Sequence, residues 1–179
     1  KAGIIEDPYY GDNADNCLWI VKSDWVYEKE FVLGGEESDE IFLCFDGVDT
    51  FAEVYLNGVA IGETSNMHRL YEFDATSVIN RGNNLLRVKM RNVFDKFGKN
   101  GEKKYNSIFN DDRVFIRKAQ CHFGWDWAPK LPGYGIYRDV YVKSRKKGEL
   151  SEVTVNADIG GAVTFRLNFK EKLEGETVI

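Results

Sequence analysis

Apolar and polar positions alternate with period two along most of the chain, the spacing that sends alternate side chains to a core and to solvent in a β-strand. Trp25, Tyr27, Phe31 and Leu33 share one face of a run whose other face carries Glu28 and Glu30. Ile41, Leu43 and Phe45 alternate with Glu40, Phe42 and Cys44, so apolar residues occupy both faces and the run reads as a central strand between two layers. Phe51–Leu56 and residues 59–62 flank Asn57-Gly58, a dipeptide with easy access to positive φ that predicts a two-residue type I′ hairpin. Leu86, Val88 and Met90 face away from Arg87, Lys89 and Arg91, and Val140 and Val142 repeat the period. Helix is suggested only at residues 76–80, about one turn, with Asp74 and Thr76 as cap candidates and Gly82 beyond.

Many short strands at hairpin spacing, with almost no helix, predict an all-β fold: an antiparallel β-sandwich of jelly-roll type. The pattern restarts after Gly148. Val153 and Val155 alternate, then Val163, Phe165, Leu167 and Phe169 alternate with Thr164, Arg166, Asn168 and Lys170, giving two strands separated by Gly160-Gly161. Two strands bury no core by themselves. Residues 1–146 are therefore expected to form the sandwich, and residues 147–179 a linker and the truncated start of a second β-domain.

Composition narrows the function. A length of 179 residues, 43% hydrophobic and 14% aromatic, is enough for one substantial core, whereas a (β/α)₈ barrel needs about 250 residues and alternating strands and helices. The net charge of -5 comes from interspersed acids and bases, which excludes a continuous phosphate-neutralising surface and, with it, nucleic acid as a partner. The one basic run, Lys143-Ser144-Arg145-Lys146-Lys147, reads as a solvated interdomain linker. No segment approaches the ~20 apolar residues of a membrane span, and Lys1 opens into a folded-looking pattern, not a signal peptide. Cys17, Cys44 and Cys121 are odd in number and widely spaced, so they are expected to be free thiols and not a disulfide or metal framework. No Asn-x-Ser/Thr acceptor occurs. A soluble bacterial protein of the cytoplasm or periplasm fits best.

Catalytic and cofactor motifs are lacking: no HExxH, GxSxG, Walker loop or paired metal-ligand spacing. His68 and His122 read as local hydrogen-bonding or partly buried residues, and Asp111-Asp112, in the polar stretch 100–113, as solvated turn residues and not a calcium site. No cofactor and no metal are expected. The exception is residues 120–129, where aromatic rings surround one carboxylate between Gly124 and Pro129. Sugars present flat C–H faces and rings of hydroxyls, and so call for an aromatic plane and an accepting carboxylate. Trp125-Asp126-Trp127 supplies both. A regular strand would put the two tryptophans on one face and Asp126 on the other, so a sugar site here requires a loop-like backbone. The alternative from chemistry alone is two core tryptophans and a turn-capping aspartate.

The run from Ile116 through Pro129 (IRKAQCHFGWDWAP), continuing to residues 135–140 (GIYRDV), resembles glycoside hydrolase family 2 and, within it, the β-mannosidases. Residues 5–13 (IEDPYYGDN), 45–58 (FDGVDTFAEVYLNG) and 66–74 (NMHRLYEFD) resemble that family's segments in the same order, so the likeness covers residues 2–143. It implies a galactose-binding-like jelly-roll domain followed by an immunoglobulin-like β-domain and a catalytic barrel, in an enzyme that removes terminal non-reducing β-mannose from oligosaccharides with retention. The two glutamates of such a mechanism belong to the barrel, so no catalytic residue is expected on this chain. The resemblance assigns to the N-terminal domain a loop whose Trp-Asp pair lines the terminal-sugar subsite, here Trp125 and Asp126, with Trp127, Arg117 and Gln120 as supporting residues. Partners are then a β-mannoside oligosaccharide and the chain's own barrel and immunoglobulin-like domains. Ala128 stands where the family usually has Gly, and Tyr137 where Trp is usual. The alternatives are a free-standing carbohydrate-binding module and the same domain of a β-galactosidase or β-glucuronidase.

Overall fold

The computed structural model describes residues 3–35, 40–96, 112–146 and 150–169; Asp111 of the acidic pair, Lys147 and Gly148 of the linker, and Lys170 lie outside them. The described chain forms α1 (Asn13–Asn16), α2 (Leu18–Val21), β1 (Trp25–Leu33), β2 (Glu40–Phe45), β3 (Val48–Asp49), β4 (Phe51–Leu56), β5 (Val59–Ser65), β6 (Tyr71–Asp74), β7 (Gly82–Arg91), β8 (Gly135–Ile136), β9 (Val140–Arg145), β10 (Leu150–Ala157) and β11 (Val163–Phe169). A four-stranded sheet in the order β1-β7-β4-β5 faces a three-stranded sheet β6-β2-β9, and β3 pairs with β8. All these pairings are antiparallel, and neighbours in space are mostly distant in sequence. The molecule is the all-β sandwich that the alternation predicts.

The core lies between the two sheets. Ala52, Val54 and Leu56 of β4 and Leu86, Val88 and Met90 of β7 point inward against Leu43 and Phe45 of β2. Val54, Leu56 and Met90 are fully buried; each such side chain stabilises the fold by about 1.5–3 kcal/mol. β2 is central in its sheet, as its apolar residues on both faces suggested, and its outer face is buried too. Arg145 stacks its guanidinium 4.5 Å from the Phe42 ring centroid while pairing with Glu72, and these side chains roof the strand.

The hairpin between β4 and β5 has the predicted geometry, with Asn57 at φ 52° and Gly58 at φ 85° and Leu56 opposite Val59. Asn57 also ties the tip to the rest of the sheet. Its amide donates to the Val78 carbonyl and to Asn84 Oδ1, both at 2.8 Å, and its Oδ1 accepts from Leu85 N at 2.9 Å. The one-turn suggestion at residues 76–80 is a hydrogen-bonded turn, not a helix: Val78 N and Ile79 N both donate to Ala75 O, and Asp74 Oδ1 accepts from Thr76 N.

Two features depart from the pattern reading. α1 and α2 are single turns too short to show a 3.6-residue period, and they are fixed to the sandwich by Trp25 Nε1 and Tyr134 Oη, which donate to the Ile20 carbonyl at 2.9 and 3.1 Å. β1 is an edge strand that leaves Trp25, Tyr27, Val26 and Val32 exposed. The thiols of Cys17, Cys44 and Cys121 are free, as expected. β10 and β11 pair only with each other, and Val153, Val155, Val163 and Phe165 are exposed on them. Among the described residues no helix is long and apolar enough to cross a membrane.

Candidate sugar-binding turn

Between the 3₁₀ turn Asp112–Phe115 and β8 the chain leaves the sheets and folds as a succession of tight turns. Ile116 and Phe123 anchor it by packing with Val93 in a small second core. The 3₁₀ turn Gln120–Phe123 ends at Gly124, whose φ of 104° turns the chain outward, a conformation that a Cβ would disfavour. Trp125 and Ala128 then exchange both backbone hydrogen bonds, at 3.1 and 3.3 Å, which closes a two-residue tip occupied by Asp126 and Trp127. The chain returns through two further close turns, with Leu131 N donating to Pro129 O and Gly133 N to Leu131 O.

This geometry resolves the strand difficulty. In a tight turn Trp125 and Asp126 can line one wall together, and they do. An open cleft of about 680 Å³ is bounded by Arg113, Phe123, Gly124, Trp125, Asp126, Ala128 and Lys130. Asp126 is exposed and makes no hydrogen bond or ion pair with the described residues, so its carboxylate is available to a ligand. The Trp125 and Trp127 rings sit 5.5 Å apart at 52°. Trp125 is 44% exposed and Trp127 71% exposed, so neither is a core aromatic. Ala128 has an ordinary negative φ, which removes the strain that its missing glycine suggested. The cleft thus offers an aromatic plane, one exposed carboxylate and the exposed Lys130, while Arg113 is buried and donates to the Gln120 carbonyl; a ring and an accepting carboxylate side by side are groups that can meet a polyhydroxyl ligand.

The other expected residues serve differently. Gln120 donates its amide to the carbonyls of Arg113 and Lys118 at 3.1 and 3.2 Å and holds the turn together instead of facing the cleft. Arg117 is exposed, and its backbone bridges to Asn66 in parallel register; it does not line the cleft. Tyr137 lays its ring on Gly47, where a Cβ would come within 2.6 Å of Cζ, and donates its hydroxyl to Met67 O. His68 is exposed, with its backbone N–H on Asn66 Oδ1. Among the described residues no cluster of His, Cys, Asp or Glu could hold a metal.

Sequence reasoning missed what lies beneath the turn. Lys118 is fully buried and pairs with Asp49, which is also buried. Thr50 Oγ1 donates to the second Asp49 oxygen, and Lys118 Nζ also donates to Gly133 O at 2.5 Å. His122 Nδ1 lies 3.5 Å from the same Asp49 Oδ2 with no hydrogen-bond partner. Burial pushes the Lys118 ammonium below its usual range against the pull of Asp49; burial, with the nearby Lys118 charge, likewise lowers His122. Sixty-nine residues separate Asp49 from Lys118, so no local motif announces the pair.

Comparison with known proteins bears on the family and the fold. Residues 1–138 match the family described as glycosyl hydrolase 2 galactose-binding domain-like. The chain is 37% identical to the β-mannosidase of Rattus norvegicus over 85% of its own length and 19% of that protein. It superposes on the crystal structure of a β-D-mannosidase from Dictyoglomus thermophilum with a TM-score of 0.83 and 37% identity, covering 92% of this chain and 21% of that one. Against the exo-chitosanase of Amycolatopsis orientalis the TM-score is 0.62 at 20% identity, over 93% of this chain and 19% of the other, a likeness of fold. The chain therefore spans about a fifth of the length of the relatives that it matches.

Proposed function

Since the chain belongs to the glycosyl hydrolase 2 galactose-binding domain-like family, we propose that it is the N-terminal, non-catalytic domain of a retaining exo-β-mannosidase and lends its Trp125-Asp126 turn to the subsite for the terminal mannose. The carrying observation is the exposed, internally unpartnered Asp126 carboxylate beside Trp125 on an open cleft wall. Such a wall is half of a binding site, which suits a turn that closes against another domain. The choice of β-mannoside rests on the 37% identity to β-mannosidases of rat and of Dictyoglomus thermophilum.

In this reading two glutamates outside the 179 residues, about 5 Å apart, act as acid/base and nucleophile. Asp126 accepts hydrogen bonds from sugar hydroxyls remote from the breaking bond and contributes orientation and transition-state binding, not proton transfer. Trp125 forms the apolar wall, and Trp127 covers its ring. Residues 147–179 open a second, immunoglobulin-like β-domain, a role that suits the solvent-facing apolar residues of β10 and β11. In the full-length enzyme, Asp126→Ala should lower kcat/KM for an aryl β-mannoside by about 10²-fold or more, the scale of a lost positioning contact; near-normal activity sinks the assignment.

A further inference from the structure

We infer that Asp49 and Lys118, with His122 beside them, are positioning residues that set where the Trp125-Asp126 turn stands. The inference deepens the subsite reading and rests on it.

Residues 119–132 form an excursion from the sandwich, with Lys118 and Gly133 at its two ends. Lys118 Nζ joins these ends directly through the Gly133 carbonyl. Asp49 joins them a second time, since its carboxylate holds Lys118 while its residue in β3 pairs with Gly135 of β8. Both feet of the excursion are thus tied to one residue of the sheet. Asp49 itself cannot drift: Thr50 Oγ1 engages its other oxygen, and the Thr50 carbonyl accepts from Thr64 Oγ1 of β5 at 2.8 Å. His122 Nδ1, inside the excursion, faces the oxygen that Lys118 holds. Met67 adds a lateral stay, with its sulfur accepting from Ala119 N at 2.9 Å and its N–H donating to Arg117 O.

The two residues at the tip bury little. Asp126 and Trp127 are exposed, and the one described ring contact of Trp127 is with Trp125. The Asp126 carboxylate therefore takes its position from the turn beneath it, and that turn stands on the base. A fully buried ammonium–carboxylate pair is a poor choice for stability alone, because apolar side chains of the same volume do as well or better. What it supplies is a directional anchor, since two charged groups with fixed hydrogen-bond partners allow one arrangement where packed methyl groups allow several.

The test is a mutant cycle in the full-length enzyme with an aryl β-mannoside. The pair is neutralised together, Asp49→Asn with Lys118→Met, so that no uncompensated charge is left in the core, and Asp126→Ala is made alone and combined with it. The paired substitution should lower kcat/KM by about 10²-fold while circular dichroism stays native, and should cost about tenfold or less once Asp126 is already Ala, where only the displacement of Trp125 is left to be felt. Equal losses in both backgrounds mean a general structural role and overturn the inference, as does an undiminished kcat/KM. If the neutral pair fails to fold, Lys118→Arg, which keeps the charge but moves it, goes through the same cycle with the same criterion. If Asp126→Ala is itself silent, the subsite reading falls and the inference with it, an outcome distinct from additivity.

Discussion

Asn57 illustrates how much of the fold can depend on one side chain. It adopts φ 52°, and its amide satisfies Val78, Asn84 and Leu85 while Asn84 closes onto the Asn80 and Gly82 carbonyls. Asn57→Ala loses these bonds and, with them, the short polar side chain that eases the left-handed conformation, so urea unfolding should show a loss of about 2–4 kcal/mol; Asn57→Gly should recover the backbone part. His122 makes a second expectation. Its folded-state pKa is depressed by burial and by Lys118, so below about pH 6.5 the unfolded chain binds the proton more readily and stability falls with pH. Asp24, Glu53 and Glu72 are each held below the carboxylate range, so their contributions disappear only at lower pH. The melting temperature should therefore decline between pH 7 and 5 in the native chain and decline less in His122→Gln. Of these residues only Asn57 was legible in advance, because its meaning lies in the dipeptide Asn57-Gly58. His122 is partly buried, as its sequence suggested, but its approach to Asp49 was not legible; Asp49 and Lys118 act across the fold, and nothing in their neighbours distinguishes them from surface charges.

Elements were legible wherever one face is buried and the other wet. β4 and β7 follow their alternation residue for residue because the sheet has one dry side. β2 revealed its double burial in sequence but not the cause, since the roof over Phe42 is made by Arg145 of a strand 100 residues away. The turns at residues 13–21 and 112–133 were legible only as departures from alternation. Their backbone hydrogen bonds close over three or four residues, too few to imprint a period; in 112–133 the glycines and prolines signal a loop without specifying its path, and residues 13–21 have neither. The Trp125-Asp126-Trp127 segment was recognisable as chemistry, whereas the turn that puts the first two on one wall had to be seen.

On the scale of the whole molecule, β10 and β11 stand apart from the sandwich in pairing. Ending the chain after Arg145 should leave the melting temperature of the sandwich within about 2–4 °C of the intact chain, since a loss of less than about 1 kcal/mol corresponds to such a shift; a larger drop would mean that the hairpin belongs to the same cooperative unit. The turn at residues 119–132 has the opposite relation to the fold, because it is firmly tied at its feet while Asp126 and Trp127 at its tip are exposed. Between residues 112 and 146, Gly124 is the one described position that demands positive φ, and the tip side chains bury almost nothing. Substitutions at residues 126 and 127 should therefore change what the surface offers while the sandwich keeps its stability. A scaffold arranged in this way can change the chemistry that its surface presents by single replacements, without its folding having to be solved again.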